Sequence, residues 1–221
     1  MLAVLTTILA ALEFIDPEQL ISRGGLLLIF AIVFAESGLL IGFFLPGDSL
    51  LFTAGMFAAG VFEESLPNVQ FNIWVLLLGT FVCAVAGDQV GYLFGNKVGP
   101  SIFNRPDSRF FKRDHIDKAQ GFFDKHGPKA IVLARFVPVV RTFCPVVAGV
   151  GNMHYSTFVR YNVLGGFLWG VGVTLLGYFF GQIDIVAENY EIAILAIIAI
   201  SVVPILVEVI RSRRRSETPV G

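Results

Sequence analysis

Apolar residues run along this chain in long blocks, and polar residues gather in a few clusters between them. The blocks cover residues 24–62, 71–98, 130–149, 156–181 and 192–210. A helix needs about 20 largely apolar residues to cross the hydrocarbon core of a bilayer. By that measure 71–98 and 156–181 are spans, and 192–210, within a segment 182–210, is a C-terminal span. The first block differs, because only 24–45 has the length to cross and 49–62 falls short. A helical hairpin that enters the membrane and returns suits 24–62 better than two crossings, and the same holds for 130–149. Residues 1–14 are apolar but short, without a basic leader or a small-residue cleavage pattern, so they do not read as a cleaved signal peptide. We expect residues 1–23 to form an interfacial or partly inserted N-terminal helical segment, interrupted at Asp16-Pro17.

The two hairpin blocks carry what an apolar segment should not. The first holds Glu36, Asp48 and the helix-breaking pair Pro46-Gly47; the second holds Arg135, Arg141, Pro138 and Pro145. Glu36 precedes Pro46 by the interval that separates Arg135 from Pro145. Ala54-Gly55 follows the first proline and Ala148-Gly149 the second. Each half then reaches a helix containing Gly91-Tyr92-Leu93-Phe94-Gly95 or Gly177-Tyr178-Phe179-Phe180-Gly181. This reads as a diverged internal duplication, acidic in one copy and basic in the other. Pro46, Gly47, Pro138, Pro145 and Gly149 are the candidate hairpin-shaping residues. Glycine- or proline-interrupted segments at matching places in two halves are the sequence mark of a transporter's central site.

Charge sets the orientation. The connection 99–129 and the tail 211–221 are rich in Lys and Arg, whereas 63–65 and 184–191 contain none. Basic loops stay cytoplasmic. Both basic segments share one face only if 130–149 dips in and returns. The single crossing 71–98 then lies between the hairpins, so the first enters from outside, the second from the cytoplasm, and their tips meet near the midplane. Ser65 and Glu188 are expected outside, Asp114 and Ser216 inside. The expected fold is an all-α polytopic membrane protein of two inverted repeats, each a re-entrant hairpin followed by a transmembrane helix, plus the C-terminal helix.

Composition agrees: 55% of residues are hydrophobic and only 15% charged. Cys83 and Cys144 lie in apolar segments without a Cys-x-x-Cys spacing and read as small core residues. His115, His126 and His154 form no ligand pattern, and no metal or cofactor is expected. Glycines at 87, 91, 95 and 99 make a smooth stripe for close helix contact, within the chain first and in a homodimer second. Residues 114–125 form either a solvated cytoplasmic loop or a surface helix that dips Phe122 and Phe123 into the interface.

Five ionisable residues lie at membrane depth: Glu36, Asp48, Asp88, Arg135 and Arg141. Unpaired, they would cost on the order of 12–17 kcal/mol, as much as the net stability of a typical domain. Arginine stays protonated and needs an anion, whereas a carboxylate can take up a proton. Arg135 and Arg141 are therefore candidates to bind substrate, with Glu36, Asp48 and Asp88 pairing with them or carrying protons. The planar guanidinium fork suits phosphate, and broken helix ends add backbone donors. A Glu–Arg lock that merely pins the hairpins together is compatible with the same residues.

The strings Glu36…Phe44-Leu45-Pro46-Gly47-Asp48-Ser49-Leu50-Leu51 and Gly87-Asp88-x-x-Gly91-Tyr92 resemble signatures of the DedA family of bacterial membrane proteins. So does Arg135-Phe136-x-Pro138-x-x-Arg141-Thr142…Ala148-Gly149, followed by Phe158, Asn162, Gly165-Gly166 and Trp169. The resemblance covers 24–181 and departs at Ile41, where relatives often carry proline. It implies facing re-entrant hairpins in the bacterial cytoplasmic membrane, a role in envelope integrity and resistance to cationic peptides, and recycling of undecaprenyl phosphate. Eukaryotic relatives act as lipid scramblases. The family's important acidic and basic residues correspond to Glu36, Asp48, Arg135 and Arg141. The function expected is translocation of a lipid phosphate headgroup, of undecaprenyl phosphate or a phospholipid, with protons as the candidate coupling ion. A proton-driven small-ion antiporter and a structural scaffold are the alternatives. An enzyme is not expected, since no nucleophile has a neighbouring histidine and no Walker loop occurs.

Overall fold

A computed structural model describes residues 17–39, 47–63, 70–102, 123, 126–189 and 192. Every regular element among them is helical: α1 Pro17–Gly38, α2 Gly47–Ala58, α3 Ile73–Ile102, α4 Ala130–Ala134, α5 Pro138–Val150, α6 Tyr155–Gly181 and α7 Asp184–Glu188. Among the described residues two helices have the length and apolar character to cross a bilayer, Ile73–Val98 within α3 and Tyr155–Gly181.

Local chemistry explains the boundaries. Gly25 breaks α1 with φ 55 and ψ −153, a conformation open to glycine, and leaves Gly24–Gly38 as the apolar arm. Asn72 starts α3 by accepting hydrogen bonds through Oδ1 from the backbone N–H of Trp74 (2.9 Å) and Val75 (3.3 Å). α5 begins with Pro138, whose missing N–H costs nothing in a first turn. α6 is α-helical over Tyr155–Gly166, π-helical over Phe167–Val171 and α-helical again over Gly172–Gly181.

The packing is reciprocal. α2 lies against the end of α6, and α5 lies against α3, so each short helix packs on the long helix of the other half. Both crossings are glycine contacts. A Cβ added to Gly177 would sit 2.9 Å from Phe52 Cα, and one added to Gly95 would sit 2.9 Å from Val146 Cα. Gly55 abuts the Thr174 carbonyl and the Tyr178 N–H, as Gly149 abuts the Tyr92 carbonyl and the Asn96 N–H. The spatial match therefore pairs Gly95 with Gly177, one helical turn away from the pairing with Gly181 that the sequence strings propose. Gly87 meets α1, Gly91 meets Pro145 and Gly95 meets Val146, so these three members of the glycine stripe are covered within the chain.

Two apolar clusters fill the interior. One joins α1, α2 and the start of α3 with Trp169, with Phe57 stacked on Phe62 at 4.1 Å. The other gathers Tyr92, Ile131, Ala134, Cys144, Ala148 and Phe158; Tyr92 stacks on Phe158 at 4.4 Å and donates its hydroxyl proton to the Met153 carbonyl at 2.6 Å. Large apolar side chains such as Leu27, Trp74, Leu78 and Phe179 face outward, as a lipid-exposed surface requires.

Several expected boundaries move. α1 begins at Pro17, inside the segment assigned to the N-terminal helix, and ends at Gly38 rather than at Pro46. Pro145 does not break the second hairpin: it lies inside α5, which runs on to Val150, and the break falls at Arg135–Val137 instead. Its lost hydrogen bond is one that a helix packed among other helices tolerates. Gly149 likewise serves the α3 crossing rather than a turn. Pro46, residues 1–16 and 193–221, and most of the loop 99–129 lie outside the described residues.

The crossings yield a paired prediction. Gly55→Val should lower the unfolding free energy by about 1–3 kcal/mol, because a side chain there meets backbone that cannot step aside. Gly172→Ala, at a position with nothing within 4 Å, should be neutral or slightly stabilising. Thermal inactivation of the two purified variants in detergent checks this; equal midpoints would contradict the crossing.

Candidate functional site

The five charged residues singled out at membrane depth come together in one centre. Arg141, in the first turn of α5, donates from Nη1 to Asp48 Oδ1 at 2.8 Å and from Nη2 to Glu36 Oε1. Arg135, at the break between α4 and α5, donates from Nη2 to Asp88 Oδ2 (2.5 Å), Asn162 Oδ1 (2.7 Å) and the Ala84 carbonyl (3.3 Å). Asn162 in turn donates to the Val85 carbonyl at 3.0 Å. The two nodes share a wall. The Trp169 ring lies 5.9 Å from the Arg135 guanidinium and 5.3 Å from that of Arg141, and its Nε1 donates to Asp48 Oδ1 at 2.6 Å. Cations over an indole face are attracted by its quadrupole.

Small residues make this convergence possible. A Cβ on Gly47 would collide with the Glu36 carboxylate, so glycine at the start of α2 is what lets Glu36 reach Arg141. Gly38 and Gly87 bring the backbones of α1 and α3 together, and Glu36 and Asp88 line the same small cavity. A Cβ on Gly165 would lie 3.0 Å from Arg135 Cδ and Nε, so α6 leaves a channel for the arginine stem. Trp169 sits in the π-helical turn Phe167–Val171; such turns recur at functional sites.

Burial makes the centre expensive unless it is satisfied. Glu36 is fully buried, and Arg135 and Asp88 nearly so, whereas the Asp48 side chain is 25% exposed. Glu36, Ser37, Asp88, Arg135, Arg141 and Trp169 line a small cavity with room for about one water molecule. Around it Glu36 Oε2, Arg135 Nε and Arg141 Nε are buried without a hydrogen-bond partner, and a buried polar atom of that kind calls for a ligand, a proton or a water. Among the described residues no three His, Cys, Asp or Glu side chains converge as a metal-binding set.

Asn162, Trp169 and Ser37 join the site without having been singled out for it. The signal for the first two was a polar side chain and an N–H-bearing aromatic seven positions apart, on the same face of α6 as Gly165 and Gly166.

Among the described residues every regular element is helical, two helices are long and apolar enough to cross a bilayer, and ion pairs are buried in the interior, the features of an integral membrane protein. Residues 45–179 match the VTT domain, and the chain belongs to the DedA family of membrane proteins. It is 44% identical to Protein DedA of Escherichia coli K12 over 187 residues, which cover 85% of this chain and 83% of that one. It is 41% identical to an uncharacterized membrane protein of Mycobacterium tuberculosis over 220 residues, covering 96% and 94% of the two. It is 32% identical to the inner membrane protein YqjA of Escherichia coli K12 over 207 residues, covering 92% and 90%. No solved structure matches the chain.

Removing one partner of a buried pair strands the other. Arg135→Ala should therefore cost about 3–5 kcal/mol of stability, and Arg135→Ala/Asp88→Ala should cost clearly less than the two single changes added. A double-mutant cycle on unfolding in detergent checks this, and strict additivity would mean that the pair does not form.

Proposed function

We propose that this chain is a transporter that moves a lipid phosphate headgroup, of undecaprenyl phosphate or a phospholipid, across the bacterial cytoplasmic membrane with protons as the coupling ion. Residues 24–62 and 130–149 are taken as re-entrant hairpins of an inverted repeat, the first entering from outside and the second from the cytoplasm, with the C-terminus cytoplasmic. The reciprocal α2–α6 and α5–α3 crossings support this reading.

The observation that carries the proposal is the pairing of two guanidiniums on one indole, each occupied by a carboxylate of the same chain. Carboxylate oxygens on a guanidinium fork stand where phosphate oxygens would bind. The cavity is too small for a phosphate in the state described, so binding requires Glu36 and Asp48 to withdraw from Arg141. Protonation favours that withdrawal, because a neutral carboxyl competes weakly for the guanidinium. The lipid tails stay in the bilayer and only the headgroup crosses, so a narrow polar path is sufficient. A structural lock has one observation in its favour: Arg135 is bound by Asp88, Asn162 and a backbone carbonyl at once. The lock describes the Arg135 node, and exchange belongs to Arg141.

Purified protein in vesicles should flip undecaprenyl phosphate, faster when the external face is acidic. Arg141→Ala and Arg141→Lys should both lose about 10- to 100-fold, since charge-assisted hydrogen bonds of about 1.5–3 kcal/mol disappear with the fork. A folded Arg135→Ala/Arg141→Ala variant that flips the lipid at the wild-type rate would refute the proposal.

A further inference from the structure

The charged centre holds three carboxylates, Glu36, Asp48 and Asp88, against two guanidiniums, Arg135 and Arg141, one negative charge in excess. These face one another from α1, α2, α3, the α4–α5 break and α5, with Trp169 of α6 between them. An uncompensated charge at this burial is not sustained in a low-dielectric interior. The three carboxylates are not equivalent. Asp88 Oδ2 is bound by Arg135. Asp48 Oδ1 accepts from two donors, Arg141 Nη1 at 2.8 Å and Trp169 Nε1 at 2.6 Å, and Asp48 keeps partial access to solvent. Glu36 is fully buried, bonded through Oε1 alone, and its Oε2 lies against Gly47 without a partner.

We propose that Trp169 divides the labour between the two carboxylates on Arg141: until the phosphate arrives its indole N–H holds Asp48 as the charged counter-ion, and Glu36 is the group that takes up and releases the proton. A proton on Glu36 Oε2 makes the centre neutral, and Oε1 can still accept from Arg141 as a carbonyl oxygen. Asp48 could take a proton on Oδ2, but its charge is the one held by two donors and by partial access to solvent, so neutralising it gains less than neutralising the fully buried Glu36. Trp169 is thus a positioning residue: it acts on the proton through Asp48. The assignment deepens the transport reading and rests on it only for what the proton is coupled to; the site's own protonation is independent of the cargo.

Infrared spectra of the full-length protein in lipid nanodiscs, titrated with pH, read carboxylic acid groups directly. A buried carboxyl C=O band should be present in wild type, shift in frequency in E36D and stay in place in D48E, exchanges that keep the charge count of the centre. W169F, which keeps a ring beneath both guanidiniums but removes the N–H, should let the single proton move to Asp48, so that in this background D48E shifts the band. A wild-type band that D48E shifts and E36D does not, its absence at every pH, or a W169F band that still ignores D48E would overturn the assignment. Should W169F not fold, ultraviolet resonance Raman of wild type, E36Q and D48N reads the indole N–H bond without altering Trp169. The bond should weaken in D48N and persist in E36Q; no change in D48N would overturn the role given to Trp169. Failure of lipid flipping with the infrared pattern intact would remove the cargo and leave the proton assignment standing.

Discussion

A guanidinium cannot shed its charge, and that constraint governs the interior of this protein. Arg135 and Arg141 sit where water is scarce, so each must be met by anions drawn from distant parts of the chain. Arg141 reaches across 93 positions to Asp48 and 105 to Glu36, and Arg135 across 47 to Asp88. These pairs tie α1, α2, α3 and α5 together at one point. Replacing such an ion pair by apolar side chains of similar volume is often neutral or stabilising. The centre is therefore expensive as mere structure, and that expense is why we read it functionally.

The glycine contacts follow from the same need. For carboxylates on α1 and α2 to touch a guanidinium on α5, the backbones must approach more closely than side chains allow. Gly38, Gly47, Gly87 and Gly165 provide that approach beside the charges. Gly55, Gly95, Gly149 and Gly177 provide it at the two reciprocal crossings. Backbone contact leaves little room for compression but does allow sliding, so the same feature that makes the centre rigid in one state offers a way between states.

Much of this was legible in the sequence because membrane depth makes charge conspicuous. Glu36, Asp48, Asp88, Arg135 and Arg141 stand out against apolar blocks, and all five meet. Their pairing was less legible, since nothing local distinguishes Asp88 from Glu36 as the partner of Arg135. Proline was over-read: Pro145 suggested a break, yet α5 continues through it and the chain bends at Arg135–Val137. α1 ends at Gly38, ahead of the Pro46 breaker, and the contact of Gly38 with Gly87 joins segments too remote in the chain for the sequence to announce. Trp169 stands in the family-like string, but its role at the site was hidden for a different reason. An aromatic residue on an apolar helix reads as lipid-facing or core, and its N–H matters only once Asp48 is known to lie beside it. The repeated strings correctly pointed to two related helices but paired their glycines one turn out of register.

Trp169 also offers the most direct test of the central claim, that internal carboxylates give way to a lipid phosphate on Arg141. The chain has two tryptophans, and Trp74 is 76% exposed on the outer surface while Trp169 is 3% exposed within the site. With Trp74→Phe, fluorescence in nanodiscs reports Trp169 alone. Adding undecaprenyl phosphate should shift its emission, as the indole loses Asp48 and gains the phosphate as a neighbour, while a neutral lipid should leave it unchanged. The shift should vanish in Arg141→Ala. An emission spectrum indifferent to the phosphate lipid, in folded protein at acidic as well as neutral pH, would contradict the account.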